Sequence, residues 1–108
     1  MKNIHCIILN IGLNDKDTHK QKHFIKWYIK KILKRLEYLQ IEGCTITKTI
    51  GVYKGEKENS LKLEFFGVEI ASTKMLARLL VNDLNQNEII HTVEYADGQK
   101  EVEFIAHN

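Results

Sequence analysis

The spacing of Asp15, His19 and His23 could support chemistry at a metal ion. These residues lie four apart, and on a helix side chains at that spacing share one face, as the ligands of a surface metal site do. Several lysines of the same stretch crowd that face with positive charge, which opposes the binding of a cation. We therefore predict no metal site.

Signatures of phosphate chemistry and of nucleophilic catalysis are incomplete. The segment Gly51–Gly55 has too few glycines for a phosphate-binding loop. The segment His91–Val93 matches only one half of a two-histidine phosphodiesterase motif. Ser60, Ser72 and Cys44 have no neighbouring base that the sequence reveals, so nothing would activate them as nucleophiles. The sequence therefore predicts a protein that is not an enzyme, with no catalytic residue and no cofactor.

The distribution of charge is the strongest functional signal in the chain. Residues 16–35 contain eight of the sixteen Lys and Arg residues and carry a net charge of +7. The rest of the chain sums to −5, although the whole chain carries only +2. Charge that is segregated in this way acts on binding partners more than on the fold.

The same basic stretch has the periodicity of an amphipathic helix, which we predict over Thr18–Gln40. Ile25, Ile29, Ile32 and Leu36 recur at steps of three or four residues and form the stripe that would face the core. The opposite face carries cations around an indole ring and is the predicted partner-binding site. Its members are Lys20, His23, Lys26, Trp27, Lys30, Lys31, Lys34, Arg35 and Tyr38.

Two physical features favour a binding role for this face. Lysines four residues apart repel one another, and each such pair costs a helix about 0.2–0.5 kcal/mol. Trp is also among the residues most enriched at binding hot spots. Two other interpretations stay open. The face could simply be solvated, with Trp27 resting on the stems of Lys30 and Lys31, or Trp27 could pack in a homodimer or against a loop of its own chain.

Five strands and a second helix complete the predicted elements. The strands are assigned from β-branched and alternating apolar residues, and the Asp97-Gly98 pair indicates a hairpin. A slip in alternation at residues 66–67 predicts a β-bulge in the third strand, and residues 55–59 read as the charged loop before it. The predicted strands are Ile4–Ile11, Cys44–Lys54, Leu61–Ile70, Ile89–Tyr95 and Glu101–Ala106, and the second helix runs from Ser72 or Thr73 to Leu84.

This order of elements predicts an α+β fold. It matches a ferredoxin-like βαββαβ sandwich with an extra C-terminal β-hairpin strand and two helices on one face of an antiparallel sheet. The length predicts one domain over residues 1–108. The other face would be partly open or covered by a second subunit. Cys6 and Cys44 lie in apolar stretches, so we expect reduced, buried thiols and a cytoplasmic protein with no membrane partner.

Three segments carry a resemblance to known proteins. Residues 11–18 (IGLNDKDT), 51–55 (GVYKG) and 60–64 (SLKLE) resemble small uncharacterised proteins of phages and mobile elements in low-GC bacteria. Such proteins often inhibit host defence, and anti-CRISPR proteins are among them. The resemblance implies a phage-encoded inhibitor that acts in the host cytoplasm. A basic helix does not fit mimicry of DNA, which needs an acidic surface.

The leading hypothesis from the sequence is a non-enzymatic binding protein. It would dock the basic aromatic face on an acidic surface of a host protein or ribonucleoprotein complex, with Trp27 as the anchor. A first alternative is direct binding of nucleic acid by the same lysines, with Trp27 stacking on bases. A second alternative is a small ligand-binding domain or enzyme that uses a cleft at the sheet edge.

Overall fold

The chain folds into five strands and two helices in the predicted order. The structure is a computed structural model that describes residues 3–108, apart from the side chain of Tyr53. Within residues 3–108, neither helix has the length and apolar character needed to span a lipid bilayer. The elements are β1 (Ile4–Gly12), α1 (Ile25–Tyr38), β2 (Thr45–Tyr53), β3 (Glu56–Phe65), α2 (Ile70–Asp83), β4 (Glu88–Tyr95) and β5 (Lys100–Ala106).

The five strands form one sheet in which every neighbouring pair is antiparallel. Its order is β2-β3-β1-β4-β5, so β1 lies in the centre and β5 extends the sheet beyond β4 as a hairpin. The first four strands have the ferredoxin-like arrangement, and α1 and α2 pack against one face. The predicted α+β ferredoxin-like fold with an additional C-terminal strand is therefore confirmed.

Alternation along the strands decides which side chains meet the helices. Leu9 of β1 lies opposite Leu63 of β3, and both are fully buried under the helices. One position further along, Asn10 pairs with Lys62 on the face that no helix covers. Because neighbouring strand residues point to opposite faces, the residues of the core cluster lie on the helix side of the sheet. On the other side, Cys6 and Ile8 of β1 are also buried. The other side stays available for a ligand or a partner.

The first helix begins at Ile25, so its predicted start at Thr18 is wrong. The carboxylate of Asp15 accepts the backbone N–H groups of Asp17 and Thr18, at 3.0 and 3.2 Å, and folds this segment into a turn. His19 then adopts a left-handed backbone with φ of 59°, a conformation that cannot continue a right-handed helix. Local side-chain bonding to the backbone competes with helix formation here.

Two turns also differ from the predicted ones. The chain leaves β3 at Phe65, and Gly67, with φ of 69°, turns it into α2 at Ile70. The predicted β-bulge at residues 66–67 is therefore wrong, because the slip in alternation marks the end of a strand. The β2–β3 turn consists of Lys54 and Gly55, both at positive φ, so residues 56–59 belong to β3 instead of a loop.

Buried polar side chains of the sheet have partners. The thiol of Cys6 donates to the carboxylate of Glu94 at 3.3 Å, and burial together with that carboxylate raises the pKa of Cys6 to about 11. Cys44 is also a free thiol but is only half-buried. The Thr73 hydroxyl lies 3.0 Å from a backbone carbonyl of α2 and shares a hydrogen bond of 2.8 Å with Nε2 of buried His91. His91 is therefore a strand residue with a satisfied ring, as predicted.

Candidate active site

The predicted partner-binding residues do not all lie on the helix. Lys26, Lys30 and Lys34 are exposed on α1, and none of them forms an ion pair with the residues that the structure describes. Lys20 and His23 precede α1 and belong to the loop that joins it to β1. The exposed cationic surface is therefore shorter than the predicted one.

Trp27 is half-buried because its own chain covers it. The imidazole of His23 stacks on the indole with ring centroids 3.8 Å apart and planes inclined by 14°. Tyr28 meets the indole edge-on at 5.0 Å, and Lys31 Nζ lies 5.2 Å from the indole centroid. This is the arrangement in which Trp27 packs against a loop of its own chain, and it leaves little of the ring to anchor a partner.

Arg35 joins the two helices instead of offering a charge to solvent. Its guanidinium donates to the carboxylate of Asp83 on α2 from Nε, at 2.6 Å, and from Nη2, at 3.0 Å. Asp83 raises the pKa of the Arg35 guanidinium further. The guanidinium also lies 5.6 Å from the ring of exposed Tyr38. A bidentate pair of this kind fixes the orientation of the guanidinium as well as stabilising the contact. Arg35 therefore links the end of α1 to α2.

A cleft opens beside the start of α1, and we call it the aromatic cleft. It has a volume of about 1010 Å³ and is formed by residues 21–27. Phe24 belongs to it and is 90% exposed. The lining contains lysines and aromatic rings but no Asp or Glu. It therefore suits a neutral or anionic ligand and disfavours a cationic one.

A second cleft lies at one end of the inner strands, on the face that the helices leave open, and we call it the polar cleft. Its volume is about 870 Å³, and it forms where β1 ends and where β3 and β4 begin. Both signs of charge occur in its lining. Its members include Gly12, Asn14, Lys16, His19, Glu56, Lys57, Glu58, Ser60 and Glu88.

Glu58 is held in the polar cleft by the backbone that follows β1. Its Oε2 atom accepts the N–H of Asn14 at 2.8 Å, while Oε1 accepts no hydrogen bond from the described residues. Its carboxylate lies directly against Gly12: a Cβ at that position would stand 2.7 Å from Oε2. Only glycine leaves room for the carboxylate there. The result is a fixed negative charge with one oxygen available to a ligand.

Asp15 and Asn85 connect the two loops that flank the polar cleft. Asn85 Nδ2 donates to Asp15 Oδ1 at 2.8 Å and to Asp17 Oδ2 at 3.0 Å. The backbone carbonyl of Asn85 accepts the backbone N–H of Lys16 at 2.9 Å. The hydrogen bond from Asn85, followed by those from the backbone N–H groups of Asp17 and Thr18, holds the pKa of Asp15 down at about 2. The ionised Asp15 carboxylate therefore positions Lys16 and His19 at the cleft.

The substitution Asp15→Asn is expected to destabilise the protein in a pH-dependent manner. Because folding lowers the pKa of Asp15 from 3.8 to about 2, its contribution is fully present above about pH 4 and is lost as pH falls towards 2. The gap in urea midpoint between wild type and Asp15→Asn should be largest at neutral pH and should close across that window. Asp97→Asn, in the exposed β4–β5 turn, is the matched control. An equal gap at both ends of the window would exclude this role for the charge.

The polar cleft combines the groups that a zwitterionic ligand requires. The carboxylates of Glu56, Glu58 and Glu88 can hold a cationic group, and the ammonium group of Lys57 can hold a carboxylate, whereas that of Lys16 is paired with Asp17 at 2.9 Å. Side-chain amides and hydroxyls in the same lining can hydrogen-bond a polar ring or a sugar. No set of three His, Cys, Asp or Glu residues among 3–108 is arranged to hold a metal ion.

Sequence reasoning did not identify Glu58, Gly12 and Asn14 as site residues. A signal did exist, since segments 11–18, 51–55 and 60–64, which carry the resemblance to phage proteins, each contribute to the polar cleft. The predicted alternative placed a cleft at the sheet edge, whereas this cleft lies at the ends of inner strands. Residues 14 and 58 lie far apart in sequence, so no local pattern could show that they touch.

Comparisons with solved structures give two whole-chain matches. A phage SAM lyase in its apo state has a TM-score of 0.77 and 20% identity, covering 95% of this chain and 89% of the other. A phage SAM lyase in complex with S-methyl-5'-thioadenosine has a TM-score of 0.75 and 19% identity, covering 98% and 92%. The likeness shows a shared fold. No protein-family model matches the sequence, and comparison with curated proteins finds no match either.

These matches correct the functional prediction. The proteins that share this fold over nearly the whole chain are enzymes, so the predictions of a non-enzymatic docking protein and of an anti-CRISPR inhibitor are wrong. The enzyme alternative is favoured instead. Both neighbours are phage proteins, which is consistent with the phage origin that the sequence suggested.

Proposed function

We propose that this chain is a lyase that cleaves S-adenosylmethionine (SAM) and releases S-methyl-5'-thioadenosine, with the polar cleft as its active site. The observation that carries the proposal is the fold shared with phage SAM lyases, at TM-scores of 0.75–0.77 over at least 95% of the chain. The mixture of carboxylates and lysines in the polar cleft supports it, because SAM carries a sulfonium, an ammonium and a carboxylate.

The aromatic cleft is the poorer candidate on electrostatic grounds. SAM carries two positive charges and one negative charge, and the lining of the aromatic cleft has lysines without any carboxylate. Cations placed a few ångströms from that lining would be repelled, and more strongly where water is excluded. The polar cleft contains Glu58, whose Oε1 accepts no hydrogen bond from the described residues.

Cleavage breaks the bond between the sulfonium sulfur and Cγ of the amino-acid part, and sulfur keeps the electron pair. S-methyl-5'-thioadenosine then leaves as a neutral thioether. Two routes balance the remaining atoms. In one, the substrate's own carboxylate attacks Cγ and closes a lactone without any proton transfer. In the other, a base removes a proton from Cβ and an unsaturated amino acid forms.

The charge change assigns a role to Glu58. In both routes the positive charge on sulfur disappears as the bond breaks, so a carboxylate beside it stabilises bound SAM more than the transition state. Glu58 therefore contributes to capture and orientation of the cationic substrate. Lys57 would hold the substrate carboxylate, and in the lactone route this contact must be loose enough for the carboxylate to reach Cγ.

The direct test is incubation of the purified protein with SAM, followed by chromatography and mass spectrometry. We expect S-methyl-5'-thioadenosine to accumulate in equal amount to a four-carbon product, whose mass and reactivity separate the lactone from the unsaturated amino acid. S-adenosylhomocysteine, which lacks the sulfonium charge, should not be cleaved. A folded preparation, checked by circular dichroism, that leaves SAM intact would refute the proposal.

A further inference from the structure

We infer that the exposed lysines of α1, together with Phe24, form a binding surface for single-stranded nucleic acid. Lys26, Lys30, Lys34 and Phe24 define this lysine surface, which lies outside the polar cleft. The inference does not depend on the proposed lyase activity. It rests on three observations: unpaired cations in a row, an uncovered aromatic ring at one end of that row, and a helix whose apolar face is already in the core.

The cations of the lysine surface are arranged along one line. Lys26, Lys30 and Lys34 follow each other at four-residue steps, and a helix rises about 6 Å over four residues. All three are exposed, and no carboxylate within residues 3–108 forms an ion pair with them. Such a row repels itself in the free protein. A polyanion with regularly spaced charges relieves that repulsion and releases its own counterions.

The start of α1 adds to the positive potential. Phe24 occupies the N-cap position, where it makes no side-chain capping bond, and the first turn contains no acidic residue. The backbone N–H groups of the first turn and the helix dipole therefore favour a nearby anion. The loop before α1 is held in place, because Gln21 donates to the carbonyl of His23 at 2.7 Å and accepts from Asn59 at 2.9 Å.

Phe24 distinguishes nucleic acid from other polyanions. Its ring is 90% exposed, more than any other large apolar side chain that the structure describes. It borders the stacked pair of His23 and Trp27 in the aromatic cleft. A base with a free face can stack on such a ring and gain about 1–3 kcal/mol. Bases inside a duplex have no free face, so a single strand is the form that uses both features.

An anionic membrane is a poorer fit to the same surface. A helix that lies in a lipid interface must present its apolar face to the lipid. In α1 that face is occupied, because Tyr28, Ile32 and Leu36 are buried in the core against the sheet and α2. The large apolar side chains that stay exposed on α1 and at its N-cap are Phe24, Leu33 and Tyr38. Phe24 and Tyr38 lie at opposite ends of the helix and Leu33 lies on a different side of it, so they form no continuous apolar face.

The test is fluorescence anisotropy of a labelled oligothymidylate between about 50 and about 200 mM salt, where non-specific complexes are strongly salt-dependent. We expect micromolar binding. The slope of log K against log salt is negative, and each phosphate contact on a single strand contributes about 0.7 to its magnitude. The triple variant Lys26→Gln, Lys30→Gln, Lys34→Gln should therefore reduce that magnitude by about 2. The matched control is Lys48→Gln, Lys74→Gln, Lys100→Gln, which removes the same charge elsewhere and should bind almost as wild type.

The aromatic contribution is measured separately. Phe24→Leu keeps an apolar side chain but removes the ring, and it should weaken binding by about 5- to 100-fold through lost stacking. Heparin, a polyanion without bases, should bind wild type and Phe24→Leu equally. Three results would overturn the inference: no binding in dilute salt, equal losses in both triple variants, or oligothymidylate binding that is indifferent to Phe24. Equal affinity for anionic vesicles and for oligothymidylate would instead indicate a general polyanion surface, and this too would overturn it.

Discussion

Replacing Glu58 with glutamine is expected to raise KM for SAM by about 10- to 100-fold, with a smaller loss in kcat/KM, because the carboxylate stabilises bound SAM more than the transition state. A charged partner contributes about 1.5–3 kcal/mol at a site of this kind. The substitution keeps the size of the side chain and an acceptor for the Asn14 N–H, so it removes charge with little change of shape. Initial rates over a range of SAM concentrations measure the effect.

Because Glu58 is proposed to hold the cationic part of SAM, its substitution should weaken the binding of SAM selectively. Affinity for SAM should fall in Glu58→Gln, while affinity for neutral S-methyl-5'-thioadenosine, measured by calorimetry, should stay close to that of wild type. If both fell together, Glu58 would be a structural residue of the cleft and this role would be wrong. Glu69→Gln is the matched control, since Glu69 is exposed beyond the far end of β3 and outside the polar cleft.

A substitution at Gly12 can displace the same Glu58 carboxylate. In Gly12→Ala the added Cβ would stand 2.7 Å from Glu58 Oε2, so the end of the glutamate side chain must move. We expect Gly12→Ala to raise KM for SAM in the same direction as Glu58→Gln. Combining the two substitutions should add little, because the second acts on a contact that the first has already removed.

Replacing Phe65 with alanine is expected to have the largest effect on stability. Phe65 is 1% exposed, at the end of β3 under the helices, and lies opposite Ile7 in the sheet. Removing a buried phenyl ring costs about 3–5 kcal/mol, from lost burial and from the cavity that remains. Domains of this size have about 5–15 kcal/mol in total. Urea denaturation followed by circular dichroism should show a much lower midpoint.

Phe104 provides the matched control because it lies on the opposite face of the same sheet. It is 59% exposed on β5, where it pairs with Ile90, and Phe104→Ala should change stability by only about 0.5 kcal/mol, as is usual at exposed positions. A loss in Phe104→Ala as large as that in Phe65→Ala would mean that the open face is covered in solution. The one-sided core described above would then be incomplete.

Residues 16–35 show which structural features could be predicted from the sequence and which could not. The apolar stripe of α1 was predictable because a helix with this period must bury Ile32 and Leu36. The start of α1 was not, because the carboxylate of Asp15 folds the preceding residues into a turn. Arg35 looked like a surface cation, yet it pairs with Asp83, which lies 48 residues away.

The sequence by itself determined the order of the elements, the α+β class and the faces of the strands and helices that are buried. Those properties follow from periodicity, which is local and is read within a few turns or strand residues. The tertiary structure decided the polar cleft, where Glu58 meets Gly12 and the N–H of Asn14 across 44 residues. Contacts of that kind depend on strand register and loop geometry, which arise only when distant segments pack together.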